Sequence, residues 1–320
     1  MYTYEGPNIY SPQAGVYACV PCAAHQRDTV REALTLALKE GAQFVGVVLA
    51  HLEEWDTTEG ETVLLHTHFD TPTPHAAAEV VRFAVEWVQA QEQGDEYDRE
   101  TRLFELQRQQ RQRLPGLAAI QLAAEAQSRG IPILWRESDA GLQLQLGYGV
   151  CQWVGTVSEI AAADEGAIVP PWEHLGPIPI YAVTGECRRE ELVNRIAEYL
   201  DSAGQQIQVC PHADFAATQA LLHNPQTTCA VVGLDTDDIL RRGIAFDRCV
   251  LSVISDSDGP RPAAATSDDA WLKALGVPML VCNGPAIMDF TTPVFACLAA
   301  YAPHGALPLD ALEHILPVRT

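Results

Sequence analysis

Three groups of residues have types and spacings that could do chemistry. His66, His68 and Asp70 stand at i, i+2 and i+4. On a β-strand such residues project from one face; two histidines with a carboxylate can bind zinc, but the more common outcome is an ordinary exposed strand face, and no metal is expected. The pair Cys19-Val20-Pro21-Cys22, followed by His25, has the spacing of a redox couple or half a zinc site. No second C-x-x-C accompanies it, so its other reading is a strand end with ordinary thiols. Asp235, Asp237 and Asp238 form an acidic cluster that could hold a cation or could simply be solvated loop acids.

The elements that must position these groups alternate along the chain. Val16–Val20 reads as a strand. Residues 28–41 carry apolar side chains at helical spacing, with Gly41 as a stop. The apolar run Phe44–Leu49 predicts a buried strand or helix turn. Thr62–Phe69 alternates as a strand, the turn Asp70–Pro74 follows, and Pro74–Gln91 is amphipathic. Residues 92–113 read as a solvated loop and helix, 117–129 as an Ala-rich helix, and 131–135 as a strand. Residues 161–178 carry paired prolines and little periodicity, which suggests a boundary. Beyond it, apolar runs near 179–183, 207–210, 229–232, 249–254 and 278–282 alternate with helical stretches, the layout of a doubly wound parallel sheet. The expected class is α/β: a small N-terminal α/β domain over 1–165, a linker at 166–178, and a doubly wound, mostly parallel domain over 179–320.

Composition bounds the function. Apolar residues make up 48% and charged residues 19% of the 320, a globular balance. No apolar run is long enough to span a membrane, and the N-terminus lacks the basic and apolar regions of a secretory signal. A cytoplasmic protein is expected. The net charge of −22 disfavours nucleic acid and anionic membranes and favours solubility or cationic, arginine-containing ligands. Most of the nine cysteines lie on apolar segments, where thiols act as small hydrophobes.

Four stretches in chain order resemble the cyanophycin synthetase family. Gly6-Pro7-Asn8-Ile9-Tyr10 is similar to its G-P-N-I-[YW] opening. Ser128-Arg129-Gly130-Ile131-Pro132 with Leu144-Gln145-Leu146-Gly147-Tyr148-Gly149 is similar to R-G-I-P and L-V-Q-L-G-Y-G near the end of its N-terminal domain. Residues 179–185 resemble the I-P-I-x-A-V-T-G that opens its Mur-ligase-like domain, and 239–248 resemble I-L-R-x-G-L-A-F-D-R. The resemblance implies a polymer-building ligase that joins aspartate and arginine using ATP. It also implies losses, since about thirty residues separate Gly149 from Val183, where the family holds an ATP-grasp domain.

The catalytic motifs implied by the resemblance are altered one by one. The Mur-type phosphate loop T-G-T-N-G-K-T-T corresponds to Thr184-Gly185-Glu186-Cys187-Arg188-Arg189-Glu190-Glu191. Arg188 replaces a glycine of the cradle, Arg189 replaces the phosphate-binding lysine, and Glu190 replaces the magnesium-binding threonine. Gly233 and Leu234 stand where the family has a Glu-Thr pair. Ser255–Pro260 lacks the histidine of N-x-x-D-D-H. The N-terminal H-V-V-E-H helix corresponds to Gly46-Val47-Val48-Leu49-Ala50, with His51, Glu53 and Glu54 following at a different spacing. The expectation is a pseudoenzyme without ATP or magnesium. It would retain a nucleotide-site remnant at Thr184, Gly185, Arg188 and Arg189, and would work as an oligomer or as a partner of an active synthetase. The alternatives are an amide ligase with an unorthodox loop and a metal-dependent hydrolase built on relocated residues.

Overall fold

A computed structural model describes residues 1–8, 10–11, 13–113, 115–163, 168–184, 189–202, 204–247, 249, 251–255 and 279–282. The chain divides into two compact units, Met1–Leu114 with Arg241–Gly243, and Pro115–Leu240 with Ile244–Thr320. The division falls at residue 114, and the described part of the expected linker, 168–178, belongs to the second unit.

The first unit is an antiparallel sheet covered by helices. Its strands are β1 (Tyr2–Tyr4), β2 (Gly15–Ala23), β3 (Ala50–Glu59) and β4 (Thr62–Asp70), in the order β1-β2-β4-β3. The helices are α1 (Arg27–Val45), α2 (Pro74–Gln93) and α3 (Arg99–Arg113). Alternation along the strands sends Val16, Ala18, Val63, Leu65 and Phe69 into the core with Val30, Leu38 and Val45 of α1 and Val80, Phe83 and Val88 of α2. Tyr17, His66, His68 and Asp70 take the other face.

One local expectation changes and an open one is decided. Gly41 does not end α1. It is buried, and a Cβ there would stand 3.0 Å from Val80 and 3.2 Å from the Phe83 ring, so its role is close helix packing. The helix runs to Val45 and ends at Gly46, which takes the left-handed conformation and donates its N–H to the Ala42 carbonyl. Of the two readings of the apolar run, the helix turn holds at its start, where Phe44 and Val45 close α1.

The second unit contains two sheets. The smaller is an antiparallel meander of β5 (Ile133–Ser138), β6 (Gly141–Leu146) and β7 (Trp153–Thr156), packed with α4 (Leu117–Ser128) and α5 (Val157–Ala162). Thr156 and Glu159 close a capping box at the start of α5. The larger sheet is wholly parallel. Its strands are β8 (Ile180–Thr184), β9 (Gln208–Ala213), β10 (Ala230–Leu234), β11 (Leu251–Ser255) and β12 (Met279–Cys282), in the order β12-β11-β8-β10-β9. The helices α6 (Arg189–Ser202), α7 (Phe215–His223) and α8 (Thr236–Arg242) lie between strands in the chain. β8 and β10 are buried along their whole length, as parallel strands covered on both faces must be.

The turn after β6 explains one sequence motif. Gly147 and Gly149 both have positive φ, and a Cβ on Gly149 would stand 2.0 Å from the Thr227 carbonyl oxygen. Val150 donates its N–H to that same carbonyl, and the Tyr148 hydroxyl reaches Asp247 at 3.4 Å. The L-G-Y-G and A-F-D-R stretches thus meet inside one unit.

Candidate functional site

In open α/β sheets, ligands bind beyond the carboxyl ends of the strands, where the direction of chain exit reverses. Here the chain leaves β8 toward β9 at one edge and leaves β10 and β11 toward the other, so the reversal falls at β8. Thr184 ends that strand, and Arg189 opens the following helix. Gly185 and Arg188 lie outside the described residues.

The groups at this end are engaged with one another. Arg189 donates from Nη1 to the Leu234 carbonyl at 2.9 Å, and its Nη2 lies 3.8 Å from Asp235 Oδ2 and 3.4 Å from His212 Nδ1. His212 Nε2 stands 3.5 Å from Glu190. Gly233 has no room for a side chain, because a Cβ would stand 2.1 Å from the Pro211 carbonyl oxygen. The Glu-Thr position of the resemblance therefore holds a glycine that cannot be enlarged and a leucine whose carbonyl anchors Arg189.

Two acids of the cluster make helix-end contacts. Asp235 Oδ1 accepts the N–H groups of Asp237 and Asp238 at 2.9 and 3.2 Å, which opens α8. Asp238 accepts the Phe215 N–H at 2.5 Å, and Asp214 caps α7 by accepting from Ala217 at 2.6 Å.

In the first unit, His66, His68 and Asp70 do share one face of β4. The Tyr17 hydroxyl meets His66 Nδ1 at 2.7 Å, the Thr57 hydroxyl meets Nε2 at 2.8 Å, and the Trp55 ring stacks on the imidazole at 6°. Both ring nitrogens of His66, one of the three candidate ligands, are thus engaged by hydroxyls. His68 is buried and stacked on Tyr10, and burial pushes its pKa below the ordinary histidine value, against the opposing pull of Asp70. Among the described residues no group of three or more His, Cys, Asp or Glu side chains is arranged to hold a metal ion.

Asp70 has a partner that spacing did not reveal. A register shift in β3 between Ala50 and Glu53 turns His51 toward it, with His51 Nδ1 at 2.8 Å from Asp70 Oδ2. His51 has φ 49°, the one positive φ at a non-glycine among the described residues. Histidine with an acid across a neighbouring strand is a three-dimensional signal; in sequence it shows only as a histidine near the start of a polar strand.

The cysteine motif separates as well. Cys19 and Cys22 are three apart on β2, so they face opposite sides of the sheet. Cys22 packs against the helix-side core, while Cys19 pairs in register with His66. Burial pushes both thiols up, the opposite of what a reactive cysteine needs. The two cannot form a local disulfide or jointly hold an ion from this strand, and His25 sits in the exposed turn beyond.

The chain as a whole is of mixed α/β class with a wholly parallel sheet in its second unit. A family model described as a domain of unknown function (DUF4938) matches residues 1–309, and the chain belongs to that family. No curated protein matches it.

Proposed function

We propose that this protein is a catalytically degenerate relative of cyanophycin synthetase: its second unit is a Mur-ligase-like domain that has lost ATP-driven ligation and serves binding or scaffolding. The observation that carries the reading is the Arg189 anchor. At the carboxyl end of the parallel sheet, where a phosphate cradle would lie, the guanidinium donates to the Leu234 carbonyl beside a glycine without room for a metal-binding acid. Glu190, Glu191 and Asp235 surround the same end, and carboxylates repel a polyphosphate.

In this reading the protein is cytoplasmic and works as a homo-oligomer or as a partner of an active synthetase. Its acidic surface is suited to cationic, arginine-containing material.

The test is a thermal-shift titration with ATP and magnesium, together with light scattering of the protein mixed with an active synthetase. The expected results are an unchanged melting temperature and a mass above that of either protein alone. Saturating ATP at a hundred times Kd would add about 2.7 kcal/mol to a true nucleotide binder. A concentration-dependent upward shift of that kind would instead support the amide ligase with an unorthodox loop.

A further inference from the structure

The sheet of the first unit carries an acid–base arrangement on the face away from its helices. Asp70 is buried between two imidazoles. Its Oδ2 lies 2.8 Å from His51 Nδ1, and its Oδ1 lies 3.9 Å from His68 Nε2. Asp70 Oδ1 and His68 Nε2 are both buried without a hydrogen-bond partner. The side chain of His51 is 80% exposed, whereas those of Asp70 and His68 are 8% and 3% exposed.

This geometry fixes the chemistry of His51. A carboxylate only accepts, so Nδ1 carries the proton and Nε2 carries a lone pair directed away from Asp70. An imidazole held in one tautomer by a buried acid, with its second nitrogen in water, is the arrangement of a general base. The backbone supports the assignment. His51 takes a left-handed φ at a β-bulge, and bulges re-aim side chains at functional sites. Strain of that kind persists where the surroundings hold it in place.

We propose that His51 is a general base, positioned by Asp70 with His68 behind it, and that it activates water against a neutral or cationic acyl ester or amide. In the step, His51 Nε2 takes one proton from water as the water oxygen bonds to the acyl carbon. The bond from that carbon to the alcohol or amine breaks, and the imidazolium returns the proton to the leaving group, so the base is regenerated. Charge sets the substrate class. None of the four strands carries a lysine or arginine, and Glu53 stands opposite His68 in register, so phosphate esters and other anions are disfavoured. The inference concerns the first unit and stands apart from the reading of the second.

The full chain with p-nitrophenyl acetate provides the test. The expected result is hydrolysis about a hundredfold faster than for His51→Gln, slowed in deuterium oxide, with p-nitrophenyl phosphate left intact. Asp70→Asn should lose roughly tenfold or more while melting as a folded protein, and His25→Gln should keep the full rate. His51→Gln alters an exposed side chain, so it remains decisive even where Asp70→Asn fails to fold. A wild-type rate equal to that of His51→Gln would overturn the proposal, and a folded Asp70→Asn at full rate would remove the positioning role. A stable acyl group on His51 with no deuterium effect would refute the base assignment. Turnover of the phosphate ester would refute the substrate class.

Discussion

Replacing Gln145 by leucine should loosen the parallel sheet as well as the small meander. Gln145 is buried on β6. Its amide donates to the Gly147 carbonyl at 2.9 Å and to the Leu222 carbonyl at 3.0 Å, and its Oε1 meets His223 Nδ1 at 2.8 Å. Leu222 belongs to the last turn of α7, where carbonyls have no intrahelical donor. Leucine keeps the bulk and removes three hydrogen bonds, leaving the Leu222 carbonyl buried. Three bonds at about 0.5–1.5 kcal/mol net each put the loss at roughly 2–4 kcal/mol. Amide exchange followed by mass spectrometry or NMR reads where the loss is felt. If residues from 115 onward unfold together, Val231 and Val232 of β10 should exchange roughly thirty- to several-hundred-fold faster, in step with β6. Loosening confined to β5–β7, with β10 at its wild-type rate, would refute the reasoning and favour a boundary at 166–178.

Two further outcomes follow from buried titratable groups. Burial holds the pKa of His68 below its ordinary value, so between the two values the unfolded chain binds the extra proton. Its contribution to stability is therefore full above about pH 6.5 and lost as pH falls, and His68→Gln should flatten the urea-midpoint profile on the acid side. An unchanged slope would show that His68 binds protons alike in the folded and unfolded states. Burial also pushes the Cys229 thiol up to about 11, so at pH 8 it should resist iodoacetamide in the native protein and react once urea unfolds it. Native labelling as fast as in urea would contradict its placement in the core.

The periodic elements were legible because their pattern is local. Pro74 at a helix start and apolar spacing to Gln91 marked α2, and five apolar runs marked the parallel strands. β3 escaped because both its faces are mostly polar, with Leu52 and Trp55 the only large apolar side chains. Glu54 bonds Thr35, Asp56 bonds Arg27 and Arg31, and Glu53 and Thr57 lie on the other side. Such a strand has no alternation to read. The His66–His68–Asp70 face followed from strand geometry, yet neighbouring strands decide which members are free. Tyr17 and Thr57 occupy His66, while a bulge in β3 brings in His51. Those facts depend on register between distant segments, which spacing along one segment does not contain.

β3 lies at the rim of its sheet, and a strand in that place offers unpaired amides and carbonyls to any extended chain that meets it. Four of its ten residues are acids: Glu53, Glu54, Asp56 and Glu59. A second copy approaching rim to rim would bring carboxylate against carboxylate, and the bulge at His51 bends the strand out of line for pairing. Part of the strongly negative charge of the chain is in this sense a guard against self-association through β-pairing. Its reach is ionic: about 8 Å at physiological salt and about 3 Å at 1 M, so concentrated salt is the condition under which filaments or aggregates of the first unit would begin.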